Sequence, residues 1–130
     1  MFTCEIKPHI SETNATGHID NATIPVWLER ARSPIYRIFN PDLSPGNWNL
    51  IIRRMEIDFI HQVHYQDSVT IISHVGEIRT TSFSVIQEIS QNQKTTVRGI
   101  VILVHYDYAR HLKMDIAVPE RERLQALVRQ

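Results

Sequence analysis

A change of period partway along the chain limits its fold more than any other feature. Between residues 24 and 39 the apolar side chains Ile24, Trp27, Leu28, Ala31, Ile35, Ile38 and Phe39 fall at helical spacing and form one stripe. From Asn49 onward, segments at about 50–60, 67–79, 81–91 and 95–108 are rich in Ile, Val, Thr, Phe and Tyr, the residues of strands. A helix with a broad apolar stripe has to bury it, and a sheet of long antiparallel strands has to cover one of its faces. Both needs are met by an α+β fold in which a curved antiparallel sheet wraps around one long central helix. A chain of 130 residues has room for one such domain, spanning 1–130, with one core.

Local signals fill in this outline. Residues 2–13 are short and mixed and are expected to give a first strand. Asp20 or Asn21 is the expected N-cap, its side chain accepting from an unpaired backbone N–H. Pro25 then falls in or just beyond the first turn, where a missing N–H costs least. Ser33-Pro34 implies a kink, or a second helical segment with Ser as cap and Pro in first position. Asn40-Pro41-Asp42 ends the helix, and Asn92-Gln93 is a candidate hairpin tip. Phe83, Val85 and Ile89 alternate with Ser82, Ser84, Glu88 and Ser90, which predicts one wet face. The run Gly99 to Val104 is apolar on both faces, as a central strand would be. Pro119 opens a last short helix that docks through Leu124, Leu127 and Val128.

Fourteen basic residues cancel fourteen acidic ones, so no strong field points to nucleic acid or to an anionic membrane. Cys4 stands alone, which excludes an intramolecular disulfide and a multi-cysteine zinc site; a half-buried strand position is expected for it. The first residues lack the pattern of a secretory leader, and the longest clean apolar run, Ile100 to Val104, is too short to span a bilayer. The expectation is a cytoplasmic protein with no membrane insertion and no nucleic-acid partner.

Chemistry concentrates in Ser11-Glu12-Thr13-Asn14-Ala15-Thr16-Gly17-His18-Ile19-Asp20-Asn21, a turn rich in Gly, His, Asp and Asn set directly before a buried helix. The first N–H groups of a helix lack internal partners and carry partial positive charge. They can hold a carbonyl oxygen as it becomes an oxyanion in acyl transfer, while neighbouring Asn and His side chains position water or a thioester. The simpler account of the same residues is a helix cap and a filled turn.

The segment SETNATGHIDNATIPVWLERAR resembles the signature of the 4-hydroxybenzoyl-CoA thioesterase-type hotdog proteins, whose usual form is roughly D-T-D-x-x-G-H-x-N-N followed by a W-x-E-x-A-R helix. The stretches RRMEIDFIHQVHYQDSVTI, TTSFSVIQEI and GIVILVHYD fall in the order of that family's sheet, so the likeness covers nearly the whole chain. It implies a hotdog fold, an acyl-CoA ligand, hydrolysis of its thioester, no cofactor, and a homodimer or homotetramer with the site at a subunit boundary. It also implies roles. Asn14 stands where the family has the acidic residue that serves as nucleophile or base. Backbone N–H groups near Asn21 form the oxyanion hole, and Gly17 permits close approach. His18 shapes the site, and Asp20 replaces a usual Asn. Glu29 and Arg32 tie the helix to the sheet or to the partner subunit.

An amide at position 14 cannot take a proton at neutral pH. A positioned base is worth about 10²–10⁴ in rate. Three outcomes therefore stand open. Asn14 orients the water with help from the oxyanion hole alone; or His18, Asp20 or Glu12 substitutes as base, Glu12 sharing the strand face of Asn14; or the protein binds acyl-CoA without turning it over, having lost its catalytic carboxylate. Arg53 and Arg54, and separately Arg110-His111-Lys113, are small basic clusters suited either to CoA phosphates or to ordinary solvated strand ends. Thr81 and Ser82 sit where the family often lines the pantetheine channel. Seven histidines invite a metal, but His61 and His64 lack a third ligand at a familiar spacing, and exposed strand and loop positions account for the histidines better.

Overall fold

The computed structural model describes residues 1–129. In chain order the elements are β1 (Phe2–Ile6), a 3-10 turn (Ile10–Glu12), α1 (Thr23–Ala31), α2 (Ser33–Phe39), a 3-10 turn (Pro45–Asn47), β2 (Leu50–Phe59), β3 (Val69–Ile78), β4 (Ser82–Gln91), β5 (Lys94–Asp107), β6 (Leu112–Lys113) and α3 (Val118–Gln125). The antiparallel sheet runs β1-β3-β4-β5-β2, with β6 added on β5. β1 and β2 are thus opposite edges, and the chain between them must cross a face of the sheet. α1 and α2 make that crossing and cover the face. The four strands predicted after Asn49 lie within two residues of their expected bounds, and β5 is the inner strand its two apolar faces implied. The first strand, however, covers only Phe2–Ile6 of residues 2–13, the rest turning through the 3-10 segment Ile10–Glu12. At the β4–β5 tip both Asn92 and Gln93 adopt positive φ (52° and 64°), as a two-residue type I′ hairpin turn requires.

The central helix is two segments, not one. Pro34 lies in the first turn of α2, as the second-segment alternative required, but Ser33 is not its cap. The Ser33 hydroxyl instead donates to Arg30 O at 2.8 Å, and Arg32 takes the N-cap position. The start of α1 also departs from expectation. Ala22 is the N-cap, neither Asp20 nor Asn21 caps with its side chain, and Thr23 N donates to the backbone oxygen of Asp20 at 2.9 Å. Pro25 is in the first turn, as expected.

The core divides into two clusters. Trp27, Leu28 and Ala31 of α1 pack on Ile71, Ile89 and Val97. Ile35 and Phe39 of α2 pack on Val75, Phe83, Val85 and Leu103, with Leu124 of α3 closing the end. Leu127 and Val128 join this second cluster as predicted, and Cys4 packs half-buried from β1 against the first. A polar layer separates the clusters. Arg32, 1% exposed, donates through Nε to Tyr36 Oη (2.7 Å) and through Nη1 to Gln87 Oε1 (3.0 Å). Gln87 Nε2 in turn donates to Leu28 O (2.9 Å) and Ser73 Oγ (3.0 Å). Arg32 therefore ties helix to sheet, whereas Glu29 is exposed. Burial raises the Tyr36 phenol above its ordinary pKa even with Arg32 beside it, so the buried guanidinium is bonded to a neutral partner. α1 crosses β5 at Gly99, where an added Cβ would lie 3.1 Å from Leu28 Cδ1.

The predicted wet face of β4 is drier than alternation implied. Ser82 and Ser84 are buried, and Ser84 Oγ accepts from Glu77 N at 2.9 Å. β2 departs in the opposite sense. Ile52, Met55 and Phe59 pair with the core-facing Leu103, Val101 and Val97, yet stay 40%, 37% and 49% exposed. Among the described residues β2 pairs only with β5, so its outer edge is free, and Ile52, Met55 and Phe59 give that strand one apolar face.

Candidate active site

The turn before α1 is held by backbone bonds. Asn14 N donates to His18 O (2.8 Å), and Gly17 N donates back to Asn14 O (3.0 Å). Ile19 N reaches Val63 O (2.8 Å) and Asp20 N reaches Glu12 O (2.8 Å), which pins the turn to the β2–β3 connection and to the 3-10 turn. Gly17 has φ +80° and no protein atom within 4 Å of a would-be Cβ, so conformation rather than crowding by the protein calls for glycine. Ile19, 4% exposed, is the apolar anchor of the turn in the core.

Side chains then link along the turn. Asn14 Oδ1 accepts from Thr16 N (3.0 Å) and from Thr16 Oγ1 (2.5 Å), and Thr16 Oγ1 lies 3.0 Å from His18 Nδ1. The His18 ring packs against His64, centroids 5.0 Å apart.

These residues border an open cleft of about 250 Å³ at the start of α1. Asn14, Thr16, His18, Asn21 and Ile24 form one wall, and Phe59, Ile60, His61, Gln62 and Val63 the other. Among the described residues, the backbone N–H groups of Asn21 and Ala22 meet no protein acceptor. Unpaired donors beside an imidazole and a carboxamide are the components that acyl transfer uses.

A thioesterase-like superfamily model matches residues 8–126. The chain belongs to that superfamily. A predicted thioesterase from Bacillus stearothermophilus is similar at 36% identity and a TM-score of 0.97, over 99% of this chain and 97% of that one. A thioesterase from Thermus thermophilus, complexed with coenzyme A and Zn, is similar at 18% identity and a TM-score of 0.86, over 95% and 97%. An aspartate-to-asparagine mutant of 4-hydroxybenzoyl-CoA thioesterase complexed with 4-hydroxybenzoyl-CoA is similar at 18% identity and a TM-score of 0.79, over 92% and 95%. No curated protein matches. The curved sheet with helices on one face is the hotdog arrangement of this thioesterase-like group.

Within this thioesterase-like fold the predicted site residues divide. Asn14, His18 and Asn21 meet at the cleft with Gly17 between them, while the exposed Asp20 is absent from its lining. Glu12 does not share a face with Asn14. The 3-10 turn breaks the alternation, and its carboxylate accepts from His9 N (2.8 Å) and Trp27 Nε1 (2.9 Å). Arg53, Arg54 and Ser82 gather at a second cleft of about 170 Å³ with Glu77, Arg79, Ser84 and Ile102. Ser82, Ser84 and Ile102 alternate with core-facing Phe83, Val85, Val101 and Leu103, so this cleft opens on the sheet face turned away from α1. It is also five residues up β2 from Phe59, roughly 17 Å along the strand. Thr81 lies in the β3–β4 turn, where its carbonyl accepts from His105 N (2.8 Å). Arg110 is bonded to Asp107 (2.8 Å), whose carboxyl it holds below the usual value.

Sequence reasoning missed Thr16, which bridges Asn14 and His18, and the Phe59–Val63 wall. His61 and His64, set aside as a bare pair, come to the cleft and to the His18 ring respectively. His74 is 8% exposed, not an exposed strand histidine. Among the described residues, no three His, Cys, Asp or Glu side chains are grouped to hold a metal ion. No helix there is long and apolar enough to cross a membrane.

Proposed function

We propose that this protein is an acyl-CoA thioesterase, hydrolysing an acyl-CoA thioester to the free acid and CoA. One observation carries the reading: Asn21, whose backbone N–H meets no acceptor among the described residues, lines the same cleft as Asn14 and His18, in a chain of the thioesterase-like superfamily. The thioester oxygen accepts from that N–H group, water adds to the carbonyl carbon, and the C–S bond breaks. One well-aimed oxyanion donor is worth about 10²–10³ in rate. Two solved proteins of this fold hold CoA or an acyl-CoA, which supports the ligand class.

The working unit is a homodimer or a homotetramer. The ten-residue β2 is a free edge bearing Ile52, Met55 and Phe59, an open template for a second copy. The Arg53, Arg54 and Ser82 cleft lies on the wrong face to serve the α1 cleft of its own chain. With Thr81 and Arg79 it takes the CoA phosphates and pantetheine across the subunit boundary. Light scattering on a micromolar sample should give at least a dimer, and Met55→Lys should shift the protein toward monomer with loss of turnover. A native monomer would overturn this assembly. The lone thiol of Cys4 fits a reducing cytoplasm.

A second reading has an observation of its own. Asn14 is an amide whose oxygen is already engaged by Thr16, as befits a non-catalytic acyl-thioester-binding protein that lost its carboxylate. Free-thiol release from a panel of acyl-CoAs, run beside calorimetric titration of the same panel, separates the two. Turnover above the uncatalysed rate supports hydrolysis, and binding without thiol release refutes it.

A further inference from the structure

We propose that Thr16 is a positioning residue: the chain Asn14–Thr16–His18 holds the His18 imidazole in its Nδ1–H form and leaves Nε2 as the bare nitrogen that takes a proton from the attacking water. The hydrogen-bond half stands by itself; the base role rests on the proposed hydrolysis.

The direction of every bond in the chain follows from what each atom can offer. Thr16 N can only donate and lies 3.0 Å from the Asn14 side chain, so the atom facing it is the carbonyl oxygen and not the amide nitrogen. Thr16 Oγ1 lies 2.5 Å from that same oxygen. A carbonyl oxygen has no proton, so the single hydroxyl hydrogen of Thr16 points to Asn14. Only lone pairs remain on Oγ1 for its next neighbour, His18 Nδ1 at 3.0 Å. Two facing lone pairs repel, so Nδ1 carries the hydrogen and donates it to Oγ1. A neutral imidazole holds one such hydrogen, and Nε2 is left as an acceptor. Nε2 has no protein partner among the described residues, and His18 lines the cleft. Glu12 is bonded elsewhere, Asp20 is outside the lining, and among the described residues His61 has no side-chain bond that fixes its ring.

In the step this permits, a water oxygen forms a bond to the thioester carbon while its proton passes to Nε2. When the C–S bond breaks, the imidazolium returns that proton to the departing sulfur. The sum is thioester plus water to acid plus thiol, with His18 restored.

Nitrogen-15 labelling of histidine reads the ring form directly, at a pH of about 8.5, well above the ordinary histidine pKa. The native protein should show His18 protonated at Nδ1. Thr16→Val should lose that preference, and Thr16→Ser should keep it; position 16 is exposed, so neither change disturbs the core. Turnover should follow the spectra. Thr16→Val should lower kcat about threefold to tenfold at constant KM, the scale of one hydrogen bond. Thr16→Ser should restore it, and His18→Ala should cost about 10²–10⁴. A native His18 protonated at Nε2, or a Thr16→Val spectrum identical to native, overturns the proposal whether or not the protein turns over. The expected spectra with an unchanged kcat in Thr16→Val would overturn the base role. Expected spectra with no hydrolysis of any acyl-CoA by the native chain would overturn the proposed function and the base role together, and leave the hydrogen-bond chain standing.

Discussion

Replacing Glu12 with glutamine distinguishes a structural anchor from a catalytic base, two roles that differ by orders of magnitude in what they predict. The carboxylate accepts from His9 N at 2.8 Å through one oxygen and from Trp27 Nε1 at 2.9 Å through the other. Glutamine keeps one acceptor oxygen, so one donor must be given up. His9 is exposed and its N–H can turn to water, whereas Trp27 is 3% exposed and cannot. The retained oxygen therefore stays on the indole, and a charge-assisted bond becomes a neutral one, a loss of about 0.5–1.5 kcal/mol. Glu12→Ala removes both acceptors and orphans the buried indole N–H, which costs about 2–4 kcal/mol. In urea melts followed by tryptophan fluorescence, Glu12→Gln should lose the smaller amount and Glu12→Ala the larger. Assayed for thiol release while still folded, Glu12→Gln should keep kcat within about threefold, a barrier change of about 0.6 kcal/mol. A true base would instead lose about 10²–10⁴. A hundredfold fall or more in folded Glu12→Gln would refute the assignment of this carboxylate to Trp27.

Three further substitutions test other parts of the molecule. Asn14→Asp keeps an oxygen for Thr16 and puts a second carboxylate oxygen in place of the amide nitrogen, so thiol release should rise by about tenfold or more toward the full worth of a positioned base; unchanged or lower activity would mean that position 14 does not face the reacting carbon. Gly76→Ala would drive a Cβ into Ser84 Oγ and set it 3.0 Å from Ile86 Cδ1, a destabilisation of about 1–3 kcal/mol in denaturant melts. Adding Ser84→Ala should recover part of that loss, and strictly additive effects would disprove the clash. His74 is buried, with Nδ1 lacking a partner among the described residues, and burial first, then Arg129, lowers its pKa. Below the ordinary histidine value of about 6.5 the unfolded chain therefore binds more protons than the folded one, so this group removes stability as pH falls through that range toward the folded pKa. His74→Gln should flatten the decline between about pH 7.5 and 5.5, and an identical slope would refute the burial argument.

The sheet and helices were legible because they rest on long periodic runs: the stripe from Ile24 to Phe39 and four strand segments of ten residues or more. What escaped detection depends on backbone or on distant chain. The start of α1 is closed by the backbone oxygen of Asp20, which any residue could supply, so no side-chain type marks it in the sequence. Glu12 was assigned to a strand face because alternation was carried through Ile10–Glu12, where a 3-10 turn rotates the carboxylate toward Trp27. The far wall of the cleft comes from Phe59 to Val63, some forty residues after His18 and joined to the turn through Ile19 N and Val63 O. No local pattern announces such a meeting.

Asn14 makes better sense once its bonds are followed than from its departure from an acidic pattern. The two bonds that shape the turn, from Thr16 N and Thr16 Oγ1, need an acceptor oxygen and nothing else, and aspartate and asparagine both provide one. The geometry of the turn is therefore indifferent to the exchange. Only the other terminal atom changes, from an oxygen that can take a proton to an Nδ2 that can only donate hydrogen bonds. In the proposed hydrolysis, where the unpaired N–H of Asn21 stands at the cleft, a further donor at position 14 would add to the stabilisation of a developing oxyanion. The same exchange withdraws a carboxylate from the water. In the proposed hydrolysis that loss falls on proton transfer, the task proposed for His18 held by Thr16.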